Sequence, residues 1–239
     1  MTDLLILGQG YAGSAIARLA EKRGLTTFGT RRRAGPLTAE LLRAHLSPGT
    51  HVIVCFPPDG ATDAAVAPII AGHPITYLSS TAVYGDGVID DTTPLLDAPS
   101  PRRDAEKIWQ DAGATILRCP AIYGPDRGIH IRVQAGDFRI GGDGNNFTSR
   151  IHVEDLAQLV LATTQVAEAR GQAFVVGDAH PMTQNEICEK VALDYGVPMP
   201  PRVPLDQVHY TLRHDRRVDG SRALRILGVT LQYPSFKTR

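Results

Sequence analysis

The amino-acid sequence predicts an α/β fold: a doubly wound parallel sheet with a small C-terminal lobe. Three observations carry that expectation. Largely apolar runs (DLLIL at 3–7, HVIVCF at 51–56, ITYLS at 75–79, ATILR at 114–118) alternate with segments at helical spacing, and strands that are apolar on both faces belong in parallel sheets covered on both sides. The first run leads straight into a glycine cluster, LGQGYAG. The 239 residues suffice for one large α/β domain, or one domain with an appendage.

The elements follow in order. After the strand at 3–7, helical spacing runs through 14–23, and Gly24 stands where a helix C-cap would be. A second extended run covers 25–29, a helix is expected near 38–45, and the strand at 51–56 is stopped by Pro57 and Pro58. A helix near 61–71 leads to the strand at 75–79, and a helix near 102–111 to the strand at 114–118. Beyond Pro120 the pattern changes: 124–149 reads as glycine-rich and irregular, with Arg127, Arg132 and Arg139 scattered through it. A helix near 154–167 and a strand near 173–176 come next. The helix at 184–195 opens on a capping box of Thr183 and Glu186, and a short helix at 221–227 is closed by Gly228. The expected division is a nucleotide-binding domain at 1–120 and a smaller substrate lobe at 121–239, with some later segments free to return to the sheet.

Composition narrows the function classes. Apolar residues make up 43% and charged residues 21%, with 25 basic against 25 acidic side chains. Zero net charge removes any whole-chain electrostatic argument for nucleic acid or an anionic membrane as partner. No apolar run reaches the length of a membrane span, and Met1-Thr2-Asp3 lacks the basic start of a signal peptide. Cys55, Cys119 and Cys188 are odd in number and unpaired by any CxxC spacing, so a reduced, cytoplasmic protein is expected. A homodimer is compatible with the sequence but not derivable from it.

The glycine cluster is a G-x-G-x-x-G that follows a strand and opens a helix, the context in which this motif binds a dinucleotide. Gly8 permits the tight turn, Gly10 lets the backbone approach a diphosphate, and Gly13 allows close helix–strand packing, giving a Rossmann-type site. About 20 positions on, an NAD site carries an acid for the ribose 2′-hydroxyl. Here Thr30, Arg31, Arg32 and Arg33 stand instead. A carboxylate repels a 2′-phosphate and a guanidinium clasps it, so NADP is the expected cofactor and NAD the alternative. A solvated turn is the other reading of the arginines.

Three segments, GQGYAG, YLSSTAVYGD and LRCPAIYGP, together with RIHVEDLA, resemble the extended short-chain dehydrogenase/reductases of the NAD-dependent epimerase/dehydratase type, and the tail VDGSRALRILG is similar to their YeeZ-like branch. The resemblance assigns cofactor contacts to Gly8, Gly10, Tyr11, Ala12, Gly13, Thr30, Arg31, Arg32, Phe56, Pro57, Ser79, Pro120 and Tyr123, and the catalytic hydroxyl to Ser80. Family dehydratases follow that hydroxyl with an Asp-Glu pair; Thr81-Ala82 cannot do that work. The family's Tyr-x-x-x-Lys is absent: Ala98 and Arg102 stand at the two positions, with Glu106 four residues on. Arg102 could hold a ribose but cannot act as a base. Tyr84 is then either a packed aromatic or, if its hydroxyl faces the nicotinamide, a substitute catalyst; Tyr123 carries the same pair of readings.

His152 is expected to be structural, Cys119 a buried and inert thiol, and no spacing supports a metal. Arg150, displaced within the family pattern, and the arginines of 124–149 could grip the diphosphate of a sugar nucleotide or lie solvated. The sequence thus supports an NADP-dependent oxidoreductase or epimerase on a sugar-nucleotide-like or small carbonyl/hydroxyl substrate. The alternative is a non-catalytic NADP-binding sensor or scaffold that has lost its acid/base pair.

Overall fold

The computed structural model describes residues 2–236. Its strands are β1 (Leu4–Leu7), β2 (Thr27–Thr30), β3 (His51–Val54), β4 (Ile75–Ser80), β5 (Gly87–Ile89), β6 (Thr115–Cys119), β7 (Ala121–Tyr123), β8 (Ile140–Gly141), β9 (Arg150–His152), β10 (Ala173–Val175), β11 (Arg202–Val203) and β12 (Arg216–Val218). The helices are α1 (Tyr11–Lys22), α2 (Ala39–His45), α3 (Gly60–Val66), α4 (Pro101–Asp111), α5 (Ile129–Gln134), α6 (Val153–Thr163), α7 (Gln184–Tyr195) and α8 (Ser221–Leu227).

Six strands form one wholly parallel sheet in the order β2-β1-β3-β4-β6-β10. Period-two alternation along β1 divides its side chains between two cores. Leu4 and Ile6 pack with Ile16 and Ala20 of α1 and with Leu156 and Val160 of α6. Leu5 and Leu7 pack on the opposite face with Leu42, Val66 and Trp109. Each such side chain, fully withdrawn from water, contributes roughly 1.5–3 kcal/mol. The Trp109 indole N–H donates to the Asp63 carboxylate at 2.8 Å, which ties α4 to α3. Residues 173–175 return to the sheet as its far edge, and α6 covers the same face as α1.

The remaining segments build the outer lobe. It consists of two-stranded parallel pairs, β7 with β9, β5 with β12 and β8 with β11, and of α5 and α7 around Phe138, Ile140, Val191 and Phe236. Successive sheet strands step outward on opposite sides of β1, β2 to one side and β3 to the other. A crevice therefore opens beyond their carboxyl ends, where sheets of this kind bind ligands.

Several boundaries differ from the sequence reading for local reasons. The helix expected to reach residue 71 ends at Val66, because Pro68 cannot donate a helical hydrogen bond and disfavours helix in the residue before it. The helix expected to reach 167 ends at Thr163. There the Thr163 and Thr164 hydroxyls donate to the carbonyls of Val160 and Leu161, both at 2.7 Å, and compete with the next helical turn. Within 124–149, α5 and β8 are too short to show a period. The capping box of Thr183 and Glu186 is formed, and Gly228 closes α8 in the left-handed conformation.

Candidate active site

The glycine turn leaves the end of β1 and enters α1. Gly8 has a φ of +94°, and a Cβ there would lie 2.7 Å from the Phe56 backbone nitrogen. A Cβ on Gly13 would lie 2.8 Å from the Gly8 carbonyl oxygen, so both positions admit only glycine. Gly10 differs: its Cβ direction is open, with the nearest atom at 3.9 Å. Beside that space α1 begins with no side-chain cap and no acid in its first turn. Its free N–H groups and the positive end of its dipole make a cradle for an anion. These residues fit a dinucleotide diphosphate.

Two cavities meet at this turn, sharing Gly8, Phe56 and Pro57. One, of about 390 Å³, is walled by Thr30, Arg31, Arg32, Asp59 and Thr62. The Thr30 hydroxyl accepts from the Gly8 N–H at 3.2 Å, which fixes the turn to the end of β2. Arg31, Arg32 and Arg33 are exposed, and among the described residues no ion pair engages them. The other cavity, of about 440 Å³, runs from Gly10, Tyr11, Ala12 and Gly13 past Ser79 to Ser80, Pro120 and Ala121, with Arg102 and Arg127 also on its wall. Arg127 lies 5.1 Å over the Tyr11 ring, and burial, then the Asp126 carboxylate, push the Tyr11 phenol up to about 12. Arg132 and Arg139 are spent on backbone carbonyls of 136–138 and stand outside this cavity.

Ser80 ends β4 half-buried, its oxygen accepting from the Ala82 N–H at 3.1 Å, which leaves its own O–H free to donate. Ser79 points inward and donates to the buried Glu106 carboxylate. Glu106 accepts from Arg118 Nη2 at 2.9 Å and from Arg118 Nε at 3.2 Å, and Arg118 Nη1 donates to the Tyr84 hydroxyl at 2.8 Å. The network Ser79–Glu106–Arg118–Tyr84 thus braces the strand ends beneath Ser80.

That network corrects the assignment of a catalytic role to Tyr84. The turn at Thr81–Val83 swings the ring away from the cleft and into an apolar cluster with Ile89, Val175 and Val218, where it is fully buried. Burial raises its pKa, with Arg118 opposing. Tyr123 is corrected likewise: β7 directs it into the lobe core, where its hydroxyl donates to the Ser235 carbonyl at 3.2 Å and its ring packs on Phe236. Ala98 lies outside the cleft on an exposed loop. Arg102 reaches the cleft wall but gives Nη1 to the Tyr77 hydroxyl at 3.2 Å. His152 caps α6 and stacks on Tyr233 at 3.5 Å, a structural role, and the Cys119 thiol is buried and pushed up to about 12.

A third cavity, of about 200 Å³, shares Ser80, Pro120 and Ala121 with the cleft and extends into the outer lobe. Arg150, Arg216, His214 and Thr211 line it. Nothing in the sequence pattern marks Arg216 or His214; Arg216 reaches the site on the pairing of β12 with β5, and His214 just before it through Asp86.

No protein-family model matches the chain. A conserved protein of unknown function from Silicibacter pomeroyi has a solved structure that superposes with a TM-score of 0.81 at 30% sequence identity, over 98% of this chain and 95% of that one. The two proteins belong to one family. MoeE5, solved with UDP-glucuronic acid and NAD, superposes with a TM-score of 0.80 at 19% identity over 96% of this chain and 94% of its own. The human epimerase family protein SDR39U1, solved with NADPH, gives 0.80 at 16% identity over 97% and 96%. The chain therefore shares its fold with these two proteins. Protein y4nL of Sinorhizobium fredii is 33% identical over 135 residues, 51% of this chain; the match spans about a third (35%) of that curated relative's length. Among the described residues no cluster could hold a metal ion, and no helix is long and apolar enough to cross a membrane.

Proposed function

We propose that the protein is an NADP-dependent oxidoreductase or epimerase acting on a sugar-nucleotide-like or other small carbonyl or hydroxyl substrate. One observation carries this reading. The cavity beside Arg31 and Arg32, the uncapped start of α1 beside Gly10 and the Ser80 hydroxyl follow one another along the carboxyl edge of one sheet. Relatives in fold have been solved with NAD and with NADPH. Here the position of the ribose-binding acid is taken by unpaired guanidinium groups, which favours the 2′-phosphate. Asp59 on the same cavity wall would accept from the adenine amine, and Arg127 would flank the diphosphate.

When bound, the dinucleotide supplies the hydride chemistry. Gly10 to Gly13 hold the diphosphate by backbone N–H groups, and Leu78, Cys119 and Pro120 give the inner end an apolar wall. Ser80 donates its hydroxyl proton in a hydrogen bond to the reacting oxygen, pre-oriented by the Ala82 N–H. No phenol–ammonium pair lines the cleft beside it among the described residues. General acid–base assistance is worth about 10²–10⁴-fold, so turnover on ordinary sugar nucleotides is expected to be slow.

Fluorescence titration with NADPH and NADH tests the cofactor. NADPH is expected to bind more tightly, by about tenfold or more, and the preference to vanish in Arg31→Ala/Arg32→Ala. Equal affinities overturn it. The sequestration of Tyr84 by Arg118 favours a second reading, a non-catalytic NADP-binding sensor or scaffold. NADPH oxidation across a carbonyl and sugar-nucleotide panel separates the two: turnover lost in Ser80→Ala supports the enzyme, and tight binding without turnover the sensor.

A further inference from the structure

The third cavity carries an inference about what the site accepts. Its lining includes Arg150, Arg216, His214 and the hydroxyls of Ser80, Thr148 and Thr211, and no carboxylate. Arg150 is 4% exposed. Its Nη2 donates to Thr148 Oγ1 at 2.9 Å, while its Nε has no hydrogen-bond partner, and no acid lies within ion-pair distance among the described residues. The guanidinium lies 5.8 Å over the Phe236 ring and feels the buried Asp178 carboxylate, but with no acid at contact distance a buried cation stays costly, and an anion in the cavity would offset that cost. Asp178 lies outside the lining and has an oxygen without a hydrogen-bond partner. Arg216 approaches with its Nε donating to the Gly85 carbonyl at 3.0 Å. Asp86 stands 4.0 Å from Arg216 and 2.9 Å from His214 Nδ1, but it is more than half exposed and outside the cavity.

Size favours a compact substrate. Pockets for drug-sized ligands measure about 300–1,000 Å³, and this compartment, which opens into the cleft at Ser80, Pro120 and Ala121, is about 200 Å³. Its outer wall is also fixed. Asn146 Nδ2 donates to the carbonyls of Leu212 and His214, both at 2.8 Å, and Gln184 Nε2 donates to Leu212 O at 3.0 Å. Arg217 lies 3.9 Å over the Phe147 ring and braces it from the other side.

We infer that the cavity takes a compact substrate with a terminal carboxylate or phosphate held between Arg150 and Arg216, its carbonyl or hydroxyl at Ser80, and that it excludes a nucleotide sugar. This narrows the reading above to one substrate class and rests on it for the chemistry, but not for the binding. The test is isothermal titration of the 239-residue apo protein with inorganic phosphate, 3-hydroxybutyrate, glycerol 3-phosphate and UDP-glucuronic acid, repeated on Arg150→Gln, Arg216→Gln and Ala82→Trp.

At least one small anion is expected to bind, and to weaken about tenfold or more in Arg216→Gln. It should be blocked in Ala82→Trp, whose indole would occupy the cavity from its exposed rim, while any heat from UDP-glucuronic acid, whose diphosphate fits the α1 cradle, is unchanged in Arg216→Gln and Ala82→Trp. Whether 3-hydroxybutyrate or glycerol 3-phosphate binds more tightly identifies the anion. Should Arg150→Gln not fold, Arg216→Gln and Ala82→Trp decide. UDP-glucuronic acid binding that is lost in Arg216→Gln or Ala82→Trp, small-anion binding indifferent to Arg216→Gln, or no small-anion binding overturns the inference. NADPH titration is read separately, so failure of the cofactor reading and failure of the cavity reading give different results.

Discussion

Replacing Glu106 by glutamine should unfold the protein far more readily than its single lost charge suggests. The carboxylate is the acceptor for three Arg118 hydrogen bonds and for Ser79. The side chains of Arg118 and Glu106 are 8% and 2% exposed, so water can neither screen the pair nor take over the cation. Breaking a buried pair by removing one partner costs about 3–5 kcal/mol. For a chain of this size each kcal/mol lowers the melting temperature by about 2–4 °C, so a fall of about 6–20 °C is expected. Thermal and urea unfolding followed by circular dichroism measure it. Removing the pair together with its dependent phenol, in Glu106→Leu/Arg118→Met/Tyr84→Phe, should restore much of the loss, because no buried charge is then left uncompensated. A loss below about 1 kcal/mol in Glu106→Gln, within the range of an exposed pair, or a triple variant less stable than the single one, would refute the assignment of this network as the brace beneath Ser80.

Gly10→Ala should leave the melting curve unchanged and abolish most NADPH binding, since the new methyl enters open space that the diphosphate needs; a binding curve like wild type would sink the cradle. Tyr84→Phe should cost about 1–3 kcal/mol of stability through the Arg118 donor left without its acceptor, with any NADPH oxidation rate unaltered; a large rate loss at unchanged stability would return the phenol to the chemistry. Burial of His51, with Arg170 contributing, pulls its imidazole from 6.5 down to about 4. The unfolded chain therefore takes up the proton first, and stability present above about pH 6.5 is lost as pH falls toward 4, by at most about 3 kcal/mol. His51→Gln should show a smaller acid loss in urea unfolding between pH 7.5 and 4.5, and an identical loss would count against the shift.

The parts of the molecule legible in the sequence are those set by neighbours along the chain. The glycine turn works through residues 8–13, and the cap of α7 through Thr183 and Glu186 three positions apart, whereas Ser80 was singled out by the resemblance of the strand motif around it. The alternation of Leu4 to Leu7 between two cores follows from the same local period. Tyr84 was illegible because its direction depends on a single turn, Thr81–Val83, whose handing of the ring inward needs the distant Val175 and Val218 to receive it. Arg118 read as one more residue of an apolar strand, since its partner Glu106 lies on the preceding helix. Arg216 and His214 come to the cavity across a contact with Gly85 and Asp86 spanning 128 or more positions, beyond the reach of any periodicity.

The sharing of one sheet face by α1 and α6 has a bearing on how the chain is made. When the ribosome has released residues up to Cys119, β1, β3, β4 and β6 can pair, but the apolar side of α1 at Ile16 and Ala20 still lacks Leu156 and Val160, and β6 lacks its edge partner Phe174. At about 5–20 residues per second, that bare face and open strand persist for seconds until 153–176 emerge. During this interval the nascent chain presents to chaperones, or to a neighbouring nascent copy, a surface that the finished protein hides.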